Sequence, residues 1–295
     1  MSIAVLTPDG RTLEVLLAGP EDGYPLVYHH GTPQGAVPFG ALDRAAAERG
    51  MRTIAYSRPG YGLSTPRADG ATTATVADDA RDTAVILDHL GIDEFVTLGW
   101  SGGGPRSLAC AAVLPGRCRA AACGVSIAPA AEYDGDIRDG MGTENVEEYT
   151  AALAGQQPLR EYLEPYGAEL ASVTSADIIA SLGDLLPDVD KAALTGELAE
   201  EMAASMRHGQ HQGIAGWLDD DLTHLRPWGF DLGAITVPVA IWQGRLDRMV
   251  PFAHAEWLAA HVAGAQAHFV EGEGHLSLLS KVGRILDDLR VLAGL

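Results

Sequence analysis

The chain has 295 residues, 47% of them hydrophobic and 20% charged, which is enough to bury one large core or a core with an inserted lobe and excludes a disordered or collagen-like polymer. Forty acidic residues against twenty basic ones leave a formal charge of −20, a field that repels polyphosphates and anionic bilayers, so neither nucleic acid nor a membrane is expected as a partner. The start of the chain has no basic region ahead of an apolar stretch, and no later run approaches the roughly 18 apolar residues of a membrane span, which sets the expectation of a soluble, cytoplasmic protein.

Residues 2–6 and 12–18 read as an antiparallel hairpin around the turn signal Pro8-Asp9-Gly10. From residue 24 to 128, short apolar or β-branched runs alternate with helix-period segments, the pattern of strand-helix-strand units in a largely parallel sheet. The expected strands are Pro25 to His30, Met51 to Tyr56 and Phe95 to Leu98. The expected helices lie near 39–49, from Asp78 to Leu90 with Gly91 as its stop, and from Arg106 to Val113. Residues 131–228 lose the strand rhythm and read as several helices broken by Gly and Pro. They carry twenty acidic residues against five basic ones, a net −15, so most of the charge sits in one third of the length. The strand rhythm resumes at Val237 to Trp242 and continues through a helix near 252–263, a strand near 266–270 and a last helix from about 276. Cys110, Cys118 and Cys123 form no C-x-x-C pair and read as small buried apolar residues.

Strand Phe95 to Leu98 runs into Gly99-Trp100-Ser101-Gly102-Gly103, a G-x-S-x-G turn between strand and helix. Side-chain-free residues two before and two after let strand and helix approach, while the turn lifts the serine hydroxyl out of the sheet. The same turn aims the Gly102 amide and the new helix's positive end at a reacting carbonyl oxygen. A phosphate-cradling turn would need G-x-G-x-x-G spacing, which is absent. Two later strands exit into loops carrying Asp247 and His275, giving the chain order Ser101, Asp247, His275.

Taken with His30-Gly31-Thr32-Pro33, Ser57-Arg58-Pro59-Gly60-Tyr61-Gly62, the stretch ending at Asp247 and Gly272-Glu273-Gly274-His275, the sequence resembles the α/β-hydrolase superfamily over nearly its whole length outside the lobe. The resemblance implies an α/β fold with a mostly parallel eight-stranded sheet flanked by helices and a helical cap inserted after strand six. The core would then be residues 1–130 and 229–295 and the cap 131–228. It further implies a serine hydrolase with catalytic Ser101, Asp247 and His275, an oxyanion hole from the amides of Thr32 and Gly102, and no cofactor or metal. Ser57 stands where the family usually carries an acidic residue, which puts a structural ion pair in doubt.

Trp100, Tyr61, His30 and Trp217 are the candidate pocket residues, with Trp217 and Trp228 alternatively anchoring the lobe, and His29 as readily packed as functional. His208 and His211 lack an evident third ligand and are not expected to bind metal. Asp219-Asp220-Asp221 is expected to be a solvated face, because consecutive carboxylates diverge on a helix. A negative cap would favour a small-molecule substrate that is a neutral or cationic ester, thioester or amide. Within the same chemistry an aminopeptidase similar to proline iminopeptidase is the rival, although the turn here is G-W-S-G-G rather than G-G-S-W-G. A perhydrolase, a carbon-carbon bond hydrolase and a weakly catalytic ligand-binding member of the fold remain alternatives.

Overall fold

Strand β1 (Ser2–Leu6) pairs antiparallel with β2 (Thr12–Ala18), and Leu6 faces Thr12 where the expected hairpin closes. Strands β3 (Tyr24–His29), β4 (Met51–Tyr56), β5 (Phe95–Trp100), β6 (Cys118–Gly124), β7 (Val239–Gly244) and β8 (Gln266–Val270) complete one sheet in the order β1-β2-β4-β3-β5-β6-β7-β8. β2 runs antiparallel to β4, and every later pairing is parallel. These details come from a computed structural model that describes residues 1–68 and 70–295. The eight-stranded, mostly parallel α/β sheet expected from the sequence is the architecture observed.

Helices α1 (Gly40–Ala47), α2 (Gly70–Thr73), α3 (Val76–Leu90) and α4 (Gly104–Val113) connect the early strands. Between β6 and β7 the chain runs through α5 (Thr143–Ala154), α6 (Gln156–Leu170), α7 (Ile178–Ser181), α8 (Asp188–Ala193), α9 (Gly196–Gly209) and α10 (Ala215–Leu225). Helices α11 (Phe252–His261) and α12 (Val282–Ala293) follow β7 and β8. The end of α3 is as expected, with Gly91 closing the helix in the left-handed region at φ 65°, but the helix starts at Val76 rather than Asp78, because Asp78 instead accepts the Thr75 N–H at 2.8 Å in the cap.

Burial on both faces explains why the central strands read as continuous apolar runs. Val27, Ile54 and Phe95 pack with α3, α4 and α11, whereas their neighbours Leu26, Ala55 and Val96 pack with α1 and α12. A third apolar cluster fills the helical insert, joining Leu159, Leu163, Met202 and Trp217 to Leu276 beside β8. Several boundaries differ from the sequence reading by one or two residues, and two of the differences have a plain local cause. The strand expected from Val237 begins at Val239, since Pro238 has no N–H for the ladder and contributes only its carbonyl, which accepts from Ala121 at 3.0 Å. The last helix begins as a tighter turn over Ser277–Lys281 and becomes regular at Val282.

Candidate active site

Ser101 sits where β5 meets α4, with φ at 55°, one of two non-glycine residues in the left-handed region among those described. Such a conformation strains an L-residue and persists only where its surroundings enforce it. The glycines enforce it here: a Cβ on Gly99 would lie 2.1 Å from the Gly103 carbonyl oxygen, and one on Gly103 would lie 2.1 Å from the His29 carbonyl oxygen. The strand-helix crossing expected from G-x-S-x-G is therefore packed backbone against backbone.

Asp247 and His275 come from the loops after β7 and β8 and meet at 2.8 Å, His275 Nδ1 to Asp247 Oδ2. Gln243 also donates to Oδ2 at 2.9 Å, while the N–H groups of Met249 and Val250 donate to Oδ1 at 2.8 and 2.9 Å. Both oxygens of Asp247 are thus committed to hydrogen-bond partners. Burial pushes the His275 pKa down, but Asp247 and then Asp190 outweigh it and hold the imidazole above its ordinary value.

Asp190, on α8 of the insert, went unnoticed in the sequence. It is fully buried, and its carboxylate accepts the consecutive N–H groups of His275 at 2.8 Å, Leu276 at 3.0 Å and Ser277 at 2.8 Å. It thereby caps the turn that carries the histidine. Nothing local distinguishes this aspartate from the exposed first-turn acids of other helices.

Thr32 and Gly102 lie against one another: a Cβ on Gly102 would stand 3.2 Å from the Thr32 amide nitrogen, and one on Gly31 would stand 3.3 Å from the Ser101 Cβ. Both segments are tied to a buried ionic cluster. Arg106 donates to the Gly102 carbonyl at 2.7 Å and to Asp220 at 2.7 Å, and Arg58 donates to the His30 carbonyl and to Asp220 at 2.6 Å. Asp220 also accepts from the Thr32 hydroxyl at 2.6 Å. Burial raises the Asp220 pKa, yet the Arg106 and Arg58 guanidiniums hold it far below the usual carboxylate range.

This overturns the expectation of a solvated Asp219-Asp220-Asp221 face. On α10 these side chains do diverge, but Asp220 points into the arginine cluster and Asp221 towards the cavity, both almost wholly buried. The buried cations Arg58 and Arg106 supply what an apolar wall would not. Tyr61 is a second correction, for it is completely buried and donates its hydroxyl to Asp220 at 2.9 Å rather than lining a pocket. Ser57 donates its hydroxyl to Glu14 on β2 at 2.8 Å, and Glu14 pairs with His208 at 2.7 Å.

One cavity of about 170 Å³ brings together Ser101, Gly102, Thr32 and His275 from the core with Trp217 and other residues of the insert. Trp100 and His30 line it as expected. His30 donates from Nδ1 to the Gly31 carbonyl at 2.8 Å and accepts the Arg58 N–H at 3.2 Å; burial and then Arg58 keep it neutral, its pKa well below the usual value. Trp228 and His29 are packed in the core, away from the cavity. The three cysteines are free and buried. Among the described residues no helix is long and apolar enough to cross a membrane.

The lining includes five acids, Glu144, Glu148, Glu169, Glu201 and Asp221, and neither lysine nor arginine among the described residues. Glu148 accepts the Trp217 indole N–H at 2.7 Å and lies within hydrogen-bonding reach of Asp221.

The sequence matches the family model described as alpha/beta hydrolase fold over residues 24–282. It is 29% identical to a non-heme chloroperoxidase of Streptomyces lividans across 92% of each chain. In structure it resembles an esterase from Exiguobacterium antarcticum, with a TM-score of 0.69 at 20% identity and complete coverage of both chains. A bromoperoxidase from Bacillus anthracis gives the same TM-score at 16% identity, covering 99% of each. With nearly the whole chain matched, this protein belongs to the alpha/beta hydrolase fold family and is a hydrolytic enzyme of that family.

Proposed function

We propose that the chain is a serine hydrolase that cleaves a small neutral or cationic carboxylic ester through an acyl-enzyme. The observation that carries this reading is Ser101, held in the left-handed region on the same cavity as a histidine whose Nδ1 is fixed by a buried aspartate. With its Nδ1 proton directed to Asp247, His275 keeps a lone pair on Nε2 to take the Ser101 proton. The Ser101 oxygen adds to the ester carbonyl, and the amides of Thr32 and Gly102 receive the developing oxyanion. His275 then returns the proton to the departing alcohol, and water repeats the sequence to release the acid.

Five acids and, among the described residues, neither lysine nor arginine in the lining support a substrate without negative charge. The volume of about 170 Å³ is below the roughly 300 Å³ at which drug-sized pockets begin, which supports a short acyl group. Perhydrolysis, with hydrogen peroxide replacing water at the acyl-enzyme to give a peracid, is a second reading, favoured by 33% identity over 34% of the chain to an Acinetobacter calcoaceticus protein named a bifunctional esterase/perhydrolase.

The test is hydrolysis of p-nitrophenyl esters of graded acyl length, with cationic, neutral and anionic acyl groups of equal size. Short acyl groups should turn over fastest, and the anionic ester should be disfavoured by about 10-fold or more in kcat/KM. A preference for the anionic ester contradicts the substrate assignment. Adding peroxide and trapping the peracid separates the two readings of the second step.

A further inference from the structure

The inner wall of the cavity holds a carboxyl pair that the hydrolytic mechanism does not use. Asp221 on α10 is only 1% exposed, it lines the cavity, and its Oδ2 receives no hydrogen bond from any described residue. Glu148 on α5 faces it within hydrogen-bonding reach. An unpartnered carboxylate oxygen in so enclosed a place costs free energy unless something positive meets it. Among the described residues no lysine or arginine lines this cavity, and the Arg106 guanidinium is committed to Asp79, Asp220 and the Gly102 carbonyl.

Aromatic rings surround the pair. Trp217 donates its indole N–H to Glu148 at 2.7 Å, and Tyr149 and Tyr162 line the same cavity. The Tyr149 hydroxyl is engaged with His224 Nδ1 at 3.0 Å, and the Tyr162 hydroxyl donates to the Glu144 carbonyl at 3.0 Å. Both hydroxyls are thus spoken for, and what these residues offer a ligand is ring surface. Carboxylate charge beside aromatic faces is the chemistry that recognises an ammonium group, and desolvation strengthens it.

We propose that Glu148 and Asp221, with Trp217, Tyr149 and Tyr162, form a subsite for an ammonium group of the substrate, inside the pocket that also presents Ser101. The proposal rests on the hydrolase reading for its place in turnover, but the binding it describes is measurable without turnover. Burial raises the pKa of both carboxyls, and Glu148 raises that of Asp221 further. The insert therefore supplies both the histidine-loop clamp, through Asp190, and the substrate's charge selection.

The experiment is calorimetric binding of choline and of its uncharged isostere 3,3-dimethylbutan-1-ol to the intact chain, to Glu148→Gln and to Glu148→Gln/Asp221→Asn. The wild type should bind choline at least about 10-fold more tightly than the isostere. The double variant should bring that ratio towards one, with Glu148→Gln in between. If the double variant fails to fold, Glu148→Gln alone carries the test, since an amide oxygen there still accepts the Trp217 N–H. Choline binding no tighter than its isostere, no choline binding at all, or a ratio unchanged in the folded variants overturns the proposal. Because no ester is cleaved, these outcomes leave the hydrolase reading untouched. Absence of Ser101-dependent ester turnover, conversely, overturns that reading alone.

Discussion

Asp247→Asn should lower kcat by about 10⁴ while leaving the fold intact, because it reverses the proton on His275 rather than removing a support. Both oxygens of Asp247 face donors: Met249 and Val250 N–H on Oδ1, Gln243 and His275 on Oδ2. An asparagine NH2 cannot face the two backbone N–H groups, so it takes the Oδ2 position and donates to Nδ1. That moves the imidazole proton to Nε2, where the Ser101 hydroxyl needs an acceptor. Turnover within 10-fold of the wild type would mean that His275 is not the base.

Asp190→Asn makes an informative contrast, for it removes a charge near His275 without contacting the ring. A single amide oxygen cannot accept all three N–H groups of residues 275–277, and the negative charge that helps raise the His275 pKa is lost. The base must be neutral to act, so a raised value places the acid limb of kcat/KM above the ordinary imidazole pKa of about 6.5. The limb should move to lower pH in Asp190→Asn, with a smaller loss at the plateau than in Asp247→Asn. A purely structural role would lower the plateau and leave the limb in place.

Asp220→Ala should destabilise the chain by about 3–5 kcal/mol, lowering Tm by on the order of 10 °C in thermal unfolding. Arg58 and Arg106 are each about 99% buried, and the substitution leaves both beside a missing counter-charge. A replacement methyl group can neither desolvate them more cheaply nor hold the Thr32 hydroxyl, so activity should fall along with stability. The pH dependence carries its own sign. Asp220 is held below its unfolded value, so its stabilisation is fully present at neutral pH and is lost only as strong acid protonates it. A Tm shift below about 2 °C would show that Asp79 alone neutralises Arg106 and that Arg58 finds another partner.

The parts that depend on near neighbours in the chain were legible in the sequence. The elbow is readable because Gly99 and Gly103 must lack side chains for β5 and α4 to cross, and Asp247 and His275 because parallel strands deliver their following loops to one sheet edge. The hairpin and the Gly91 stop of α3 follow from turn and capping chemistry within four residues.

What stayed hidden depends on partners far away along the chain. Asp220 meets Arg58 across 162 residues and Arg106 across 114, and Asp190 meets the histidine loop across 85. Three consecutive aspartates carry no local mark that separates an ion-pair anchor from a cavity acid or a surface charge. Tyr61 was misplaced for the same reason: its neighbours in sequence reach the site, but its hydroxyl is claimed by Asp220 from the insert. Glu14, which accepts the Ser57 hydroxyl, lies on a strand 43 residues upstream, where no motif points to it.

The most direct test of the proposed chemistry is to treat the folded chain with a fluorophosphonate and locate any adduct by intact mass and peptide mapping. The mechanism predicts one phosphonyl group per chain on Ser101, with none on Ser101→Ala. No adduct on a folded wild-type chain, or an adduct on another residue that persists in Ser101→Ala, would contradict Ser101 as the nucleophile.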